Sequence, residues 1–314
     1  MGAPVAMTRP KMFAVWLTIA LGGSGAVAVL FAGGWSGPAA RALSIVHMLP
    51  VLLATLFVQG PLLRQPIAGP LGLKLSFNRW WLVAWLSPVA VLALALVAGW
   101  LLFGVEPVLD VGTYLAHKRS LVPPEHLDEF ERALRQSPPP RPLWLWLVVQ
   151  GLPVGITVNL LVALATELGF RGFLFREVRG GFWRRSLLVG LAEAAFYAPA
   201  VALGLHFPEH PGLGLAAMTG FCLCVAPVLV YLRVRSGSTV ATAAMRGTLL
   251  ALTVAATDFS FGAADWQRPF YGVTGSVGLL VLLGGFWVHD RFYAEQRLMS
   301  RAAAKPLKTR AEPV

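Results

Sequence analysis

Charge is scarce in this chain. Only 13% of its 314 residues are Asp, Glu, Lys or Arg, about half the share found in a soluble globular domain. That shortage excludes an ordinary water-soluble surface. Acidic residues are the scarcer sign, 15 against 26 Lys and Arg, for a net charge of +11. The two cysteines, Cys222 and Cys224, lie inside one apolar run. A C-x-C pair there reads as packing, which excludes a disulfide framework or a thiolate metal site. No cysteine stands near the C-terminus, so the chain is not expected to be a prenylation substrate itself. Ala6 stands where a myristoylation signal needs Ser or Thr. There is no internal repeat, and no low-complexity stretch outside the C-terminal tail.

What fills the chain instead is apolar sequence, 56% of all residues. About 20 such residues in a row cross a bilayer. Eight segments qualify: 12–33, 42–60, 81–104, 142–168, 186–205, 213–232, 238–257 and 270–289. The first follows Arg9 and Lys11 with no A-x-A-like cleavage site behind it, so it is expected to be a retained helix. The expectation is an all-α, multipass helix bundle forming one integral membrane domain, 1–314.

Basic residues report the orientation. Arg9 and Lys11; Arg64, Lys74 and Arg79; Arg171, Arg176, Arg179, Arg184 and Arg185; Arg233 and Arg235; and the tail 290–314 alternate with loops that hold few cations. By the positive-inside rule this predicts both termini in the cytoplasm. The cations sit in short loops and build no continuous basic face, which argues against nucleic acid as a partner. The long outer loop 105–141 contains Pro123-Pro124-Glu125, then Leu127, Phe130 and Leu134, then Ser137 and three prolines. That order predicts one short amphipathic helix. Gly151-x-x-x-Gly155 permits close helix packing, though the motif is common by chance.

An ionisable side chain inside the membrane is costly and marks a functional candidate. Residues 166–172 read Thr-Glu-Leu-Gly-Phe-Arg-Gly. Glu167 and Arg171, at i and i+4, share a helix face and can pair, as in any helix-end salt bridge. Further on come Gly190-Leu-Ala-Glu-Ala-Ala-Phe-Tyr-Ala-Pro199, then Gly204-Leu-His-Phe-Pro-Glu-His-Pro-Gly-Leu-Gly214, then Tyr231 to Leu250 with Arg246. In this order and spacing, residues 165–255 resemble the CPBP family, the CAAX-protease and bacteriocin-processing intramembrane proteases.

The resemblance implies a mechanism. Members of the family carry E-E-x-x-x-R, then an aromatic-x-x-x-His motif, then His-x-x-x-Asn or Asp, on separate helices. The first Glu and first His activate water, while the second His and the Asn stabilise the oxyanion or help hold a metal. This sequence departs from the pattern. Glu167 and Arg171 are retained, but the first Glu aligns with Thr166, the first His with Tyr197, the second His with Arg246 and the Asn with Leu250. The aromatic falls on Glu193. His206 and His210 lie in a short outer loop, on the wrong side to substitute.

The expectation is therefore a pseudoprotease, a binder of membrane-embedded or lipidated protein segments. It has lipids and a membrane-anchored or prenylated protein or peptide as partners, in a bacterial cytoplasmic membrane. With the His ligands gone, no cofactor is expected and zinc is argued against. Two alternatives stand beside it: an active endopeptidase using Glu167 as general base, and a small transporter, for which related halves or broken helices are missing. Glu193 and Arg246 each fall roughly 10–12 Å into their segments. An isolated charge at that depth is unfavourable, so Glu193 or Glu167 is expected to pair with Arg246, with Tyr197 as a hydrogen-bond partner. The rival expectation is that Arg246 snorkels to the interface.

Overall fold

The computed structural model describes residues 9–31, 37–138 and 141–300. Ala6 and the tail beyond residue 300 lie outside the described residues, and so do two of the three prolines after Ser137. The helices, in chain order, are α1 (Arg9–Phe31), α2 (Gly37–Phe57), α3 (Arg79–Phe103), α4 (Val111–Ser120), α5 (Leu127–Gln136), α6 (Leu143–Ile156), α7 (Val158–Glu167), α8 (Phe175–Glu177), α9 (Phe182–Ala202), α10 (Pro211–Ser236), α11 (Thr239–Phe259) and α12 (Val273–Phe292). The protein is an all-α multipass bundle, with no strand among the described residues.

Among the described residues, seven helices are long and apolar enough to cross a membrane. The fifth expected segment, 186–205, forms α9, 21 residues long, but that helix carries Arg184, Arg185 and Glu193 and is not among the seven. The expected segment 142–168 also differs. It breaks at Thr157 (φ −113°, ψ −92°), and its second half runs on as one apolar stretch from Val158 to Glu177. Pro153, four residues before the break, has no N–H to donate into the helix.

Local chemistry sets the helix ends. The Asn78 side chain accepts from the N–H groups of Trp80 and Trp81 (3.0 and 3.1 Å) and starts α3. Ser238 accepts from Val240 N–H (3.1 Å) and starts α11, and Asp110 accepts from Thr113 N–H (2.8 Å) and starts α4. These are N-caps, which satisfy otherwise orphaned donors. The amphipathic segment of the outer loop is α5, with Leu127, Phe130 and Leu134 half-buried. Helix α4 was not anticipated; it is tied to the bundle by Lys118, whose Nζ lies 2.7 Å from Asp258.

The bundle is turned inside out relative to a soluble protein. Leu82, Trp100 and Leu101 of α3, Val158 and Leu161 of α7 and Leu280 and Trp287 of α12 are exposed, while Glu167, Arg171, Glu193 and Arg246 are buried. Contacts group the basic turns at one end. Arg176 donates to Gln59 (3.0 Å), Asn78 donates to the Ser236 carbonyl (3.0 Å) and Arg235 pairs with Asp290 (2.6 Å). At the other end the Val108 N–H donates to the Phe259 carbonyl (2.9 Å).

Helices α6 and α11 touch backbone to backbone. A Cβ on Gly155 would lie 2.6 Å from Thr248 Cα, and one on Gly247 would lie 2.3 Å from the Gly155 carbonyl oxygen. Packing of this kind substitutes in a bilayer for the hydrophobic drive between helices. Gly155→Leu is therefore expected to destabilise the protein by about 1–3 kcal/mol, the usual cost of overpacking. Gly22→Leu, where nothing lies within 4 Å, is expected to be neutral. Unfolding of both variants in detergent micelles checks the contrast.

Candidate functional site

Three helical segments meet at one cluster of charge. α7 delivers Glu167 at its last residue, and the chain then widens into a π-helical turn, Leu168–Leu174, that carries Arg171. Such turns recur at functional sites because they re-aim side chains. α9 delivers Glu193, and α11 delivers Arg246. All four side chains are shut off from solvent; Arg246, at 2% exposed, is the most accessible of them.

The four form a ring. Arg171 Nη1 lies 3.2 Å from Glu167 Oε1 and 2.6 Å from Glu193 Oε2. Arg246 Nε lies 3.3 Å from Glu167 Oε1, and its Nη2 meets Glu193 Oε1. Each carboxylate therefore faces two guanidinium groups, and the ring has no net charge. Arg246 does not reach toward the interface. Aromatic faces add to its surroundings: the guanidinium carbon of Arg246 stands 6.0 Å from the Phe221 ring, and that of Arg171 stands 5.8 Å from Phe170.

The other expected positions line the ring but make no chemistry in it. Thr166 is buried, and its hydroxyl donates to the Ala163 carbonyl (3.0 Å). Leu250, one turn beyond Arg246, is apolar and offers no donor. Tyr197 lies within electrostatic reach of Glu167 and Arg171. Among the described residues its hydroxyl makes no hydrogen bond to the four charged groups, which corrects the expectation. The Tyr197 ring packs with Phe196 (5.3 Å) and His47 (5.7 Å) instead.

His47 is the residue that sequence reading missed. It is buried in α2, stacks toward Phe196 (4.5 Å), and its Nε2 lies 2.8 Å from the Ser24 hydroxyl of α1, which also donates to the Phe196 carbonyl. An imidazole thus stands beside position 197, supplied by a helix outside the resembling segment. The signal was there to see: one histidine inside an apolar run.

The segment that holds the ring is the one that comparison singles out. Residues 143–252 match the family described as type II CAAX prenyl endopeptidase, Rce1-like. Over this stretch, about a third of its length, the chain is similar to the CAAX-protease family. The matched stretch contains Thr166, Glu167, Arg171, Glu193, Tyr197, Arg246 and Leu250, whereas α1 to α5 and α12 lie outside it. None of the curated proteins compared with the chain matches it.

Among the described residues, one group in this CAAX-protease relative has the spacing of a metal site: Glu209, His210 and Asp265. It sits at the loop end, and Asp265 is already filled. Its Oδ2 accepts from the N–H groups of Glu209 (2.9 Å) and His210 (3.1 Å). Its Oδ1 faces Trp266 N–H and His210 Nδ1 at 2.8 and 2.9 Å. The group staples two loops together and leaves no free lone pair of Asp265 aimed outward. His206, in the same loop, stacks on Tyr271 (4.1 Å).

Two outcomes follow from these geometries. Breaking a buried pair costs about 3–5 kcal/mol because it strands a charge, so Arg246→Met is expected to destabilise by that much. The double variant Glu193→Leu, Arg246→Met leaves Glu167 and Arg171 balanced and is expected to lose less than the single change. Denaturation of the three proteins in micelles checks the order. The second outcome concerns pH. Burial pushes the Asp265 carboxyl up, but the hydrogen bonds from His210 and from the N–H groups of Glu209, His210 and Trp266 outweigh it and hold the group below its usual range. A depressed carboxyl stabilises the fold above the ordinary carboxylate value, about 4, and that contribution is lost as pH falls through the folded value. Melting curves are expected to lose stability on acidification, with Asp265→Asn flattening this part of the profile.

Proposed function

We propose that this relative of the CAAX proteases binds a membrane-anchored or prenylated protein segment without cutting it. The observation that carries the reading is the ring. Both carboxylates in the frame are buried and each is held by two arginines, while positions 197 and 246 carry Tyr and Arg where the family uses His. A general base needs access to water and to the proton it takes. An oxyanion needs donors aimed at it and not already engaged. The ring is closed to solvent, which denies a base its water, and its guanidinium groups are held in ion pairs with the two carboxylates, while Arg171 Nε and Nη2 and Arg246 Nη1 have no hydrogen-bond partner among the described residues.

The orientation we propose places both termini, and the end of the bundle that gathers Arg64, Lys74, Arg176 and Arg235, on the cytoplasmic side of a bacterial inner membrane. The distribution of Lys and Arg supports it. No metal or other cofactor enters the reading, because the family's His positions offer no imidazole ligand here.

One observation favours a second reading, an endopeptidase with Glu167 as base. Among the described residues Glu167 Oε2 has no hydrogen-bond partner, so one oxygen of the ring is uncommitted. Purified protein in proteoliposomes, offered farnesylated peptides ending in a CAAX sequence, separates the two. Binding is expected to depend on the prenyl chain, with no cleavage by the wild type. Cleavage that disappears in Glu167→Gln overturns the binding-only reading.

A further inference from the structure

Two buried arginines stand apart from the ring. Arg185, the fourth residue of α9, donates through Nε to the Phe175 carbonyl (3.0 Å) and also through Nη2, and its guanidinium carbon lies 3.8 Å from the Phe175 ring centroid. Arg233, in the last turn of α10, is 5% exposed, and its buried Nε has no hydrogen-bond partner among the described residues. The helices that carry them touch at this level, where the Phe182 and Tyr231 ring centroids lie 6.3 Å apart. Among the described residues no carboxylate pairs with either one. The nearby acids are engaged elsewhere, Glu177 with Arg176 (2.7 Å) and Asp290 with Arg235 (2.6 Å).

The surroundings are built to hold Arg233 in place. Gly72 lies flat against its guanidinium: a Cβ there would fall 2.4 Å from Cζ. Gly72 is in the left-handed region (φ 69°), which glycine adopts without strain. The loop that carries it is pinned to the start of α11, where the Thr239 N–H donates to the Gly72 carbonyl (2.8 Å) and the Thr239 hydroxyl donates to the Leu71 carbonyl (2.6 Å). A fixed, buried pair of like charges without a counter-charge is unfavourable unless an anion completes it.

We propose that Arg185 and Arg233 form a binding site for a phosphate group beneath the loop that carries Gly72. Guanidinium groups match phosphate oxygens in shape and charge. Both arginines lie within about one turn, roughly 5 Å, of a helix end, which is the level of lipid headgroups in a bundle of this kind. Leu75 and Phe77 of the same loop are exposed apolar side chains, suited to that boundary. The shared chemistry is the phosphate, whether of a headgroup or of a soluble ion.

The experiment uses the full chain, stripped of lipid in a nonionic detergent. Its melting midpoint is read with inorganic phosphate, with short-chain phosphatidic acid, and with chloride at matched ionic strength. Native mass spectrometry counts any phospholipid retained. A ligand that binds only the folded protein raises the midpoint, so phosphate or phosphatidate is expected to raise it by several degrees over chloride. A rise with phosphatidate alone assigns a headgroup, and a rise with inorganic phosphate assigns the bare anion. Arg233→Gln is expected to abolish the rise without lowering the midpoint in chloride, since it removes an unpaired buried charge. If that variant does not fold, Arg185→Gln and Gly72→Ala test the same pocket. No rise together with no retained phospholipid overturns the proposal, and so does a rise that survives all the variants.

Discussion

Two carboxylates and two guanidinium groups, closed on one another away from water, set the terms for the centre of this bundle. Each charge alone would be costly at that depth. Together they cancel, and the cost of burying them is offset only while every member is present. α7 with its π-helical turn, α9 and α11 are therefore held at fixed separations by a polar contact that has few alternative arrangements. The apolar helices around them face outward into lipid and pack inward on small residues, as Gly155 and Gly247 do where α6 meets α11.

The same ring lies within the stretch that matches the CAAX endopeptidase family model. The family's reaction places a carboxylate and imidazoles around a water and a peptide carbonyl. In this chain Arg246 turns its guanidinium to Glu167 and Glu193. Thr166 returns its hydroxyl to its own helix. The centre of the frame is thus a charge-balanced cluster closed to solvent.

Much of this was legible residue by residue. Glu167 and Arg171 announce their pairing by an i,i+4 spacing, and Glu193 and Arg246 announce themselves as charges in apolar runs. Other features left weaker traces. Helix α4 is short and polar, and only Asp110 marks its start. The break at Thr157 interrupts an unbroken apolar run, so hydropathy passes over it. His47 was overlooked because its partners, Ser24 and Phe196, are 23 and 149 residues away along the chain, and no local pattern joins them.

Taken by itself, the sequence determined that the chain lives in a membrane, which segments are helical, and which family frame the middle segment follows. Those conclusions rest on composition, run length and spacing, which are properties of neighbours along the chain. Only the tertiary structure decided that Arg246 shares both carboxylates with Arg171, that the Tyr197 ring packs with His47 and Phe196, and that Arg185 and Arg233 are buried on adjoining helices with no carboxylate paired to either among the described residues. Those are relations between side chains on different helices. A few ångströms of helix rotation make or break them, and such rotations are settled by packing, not by period.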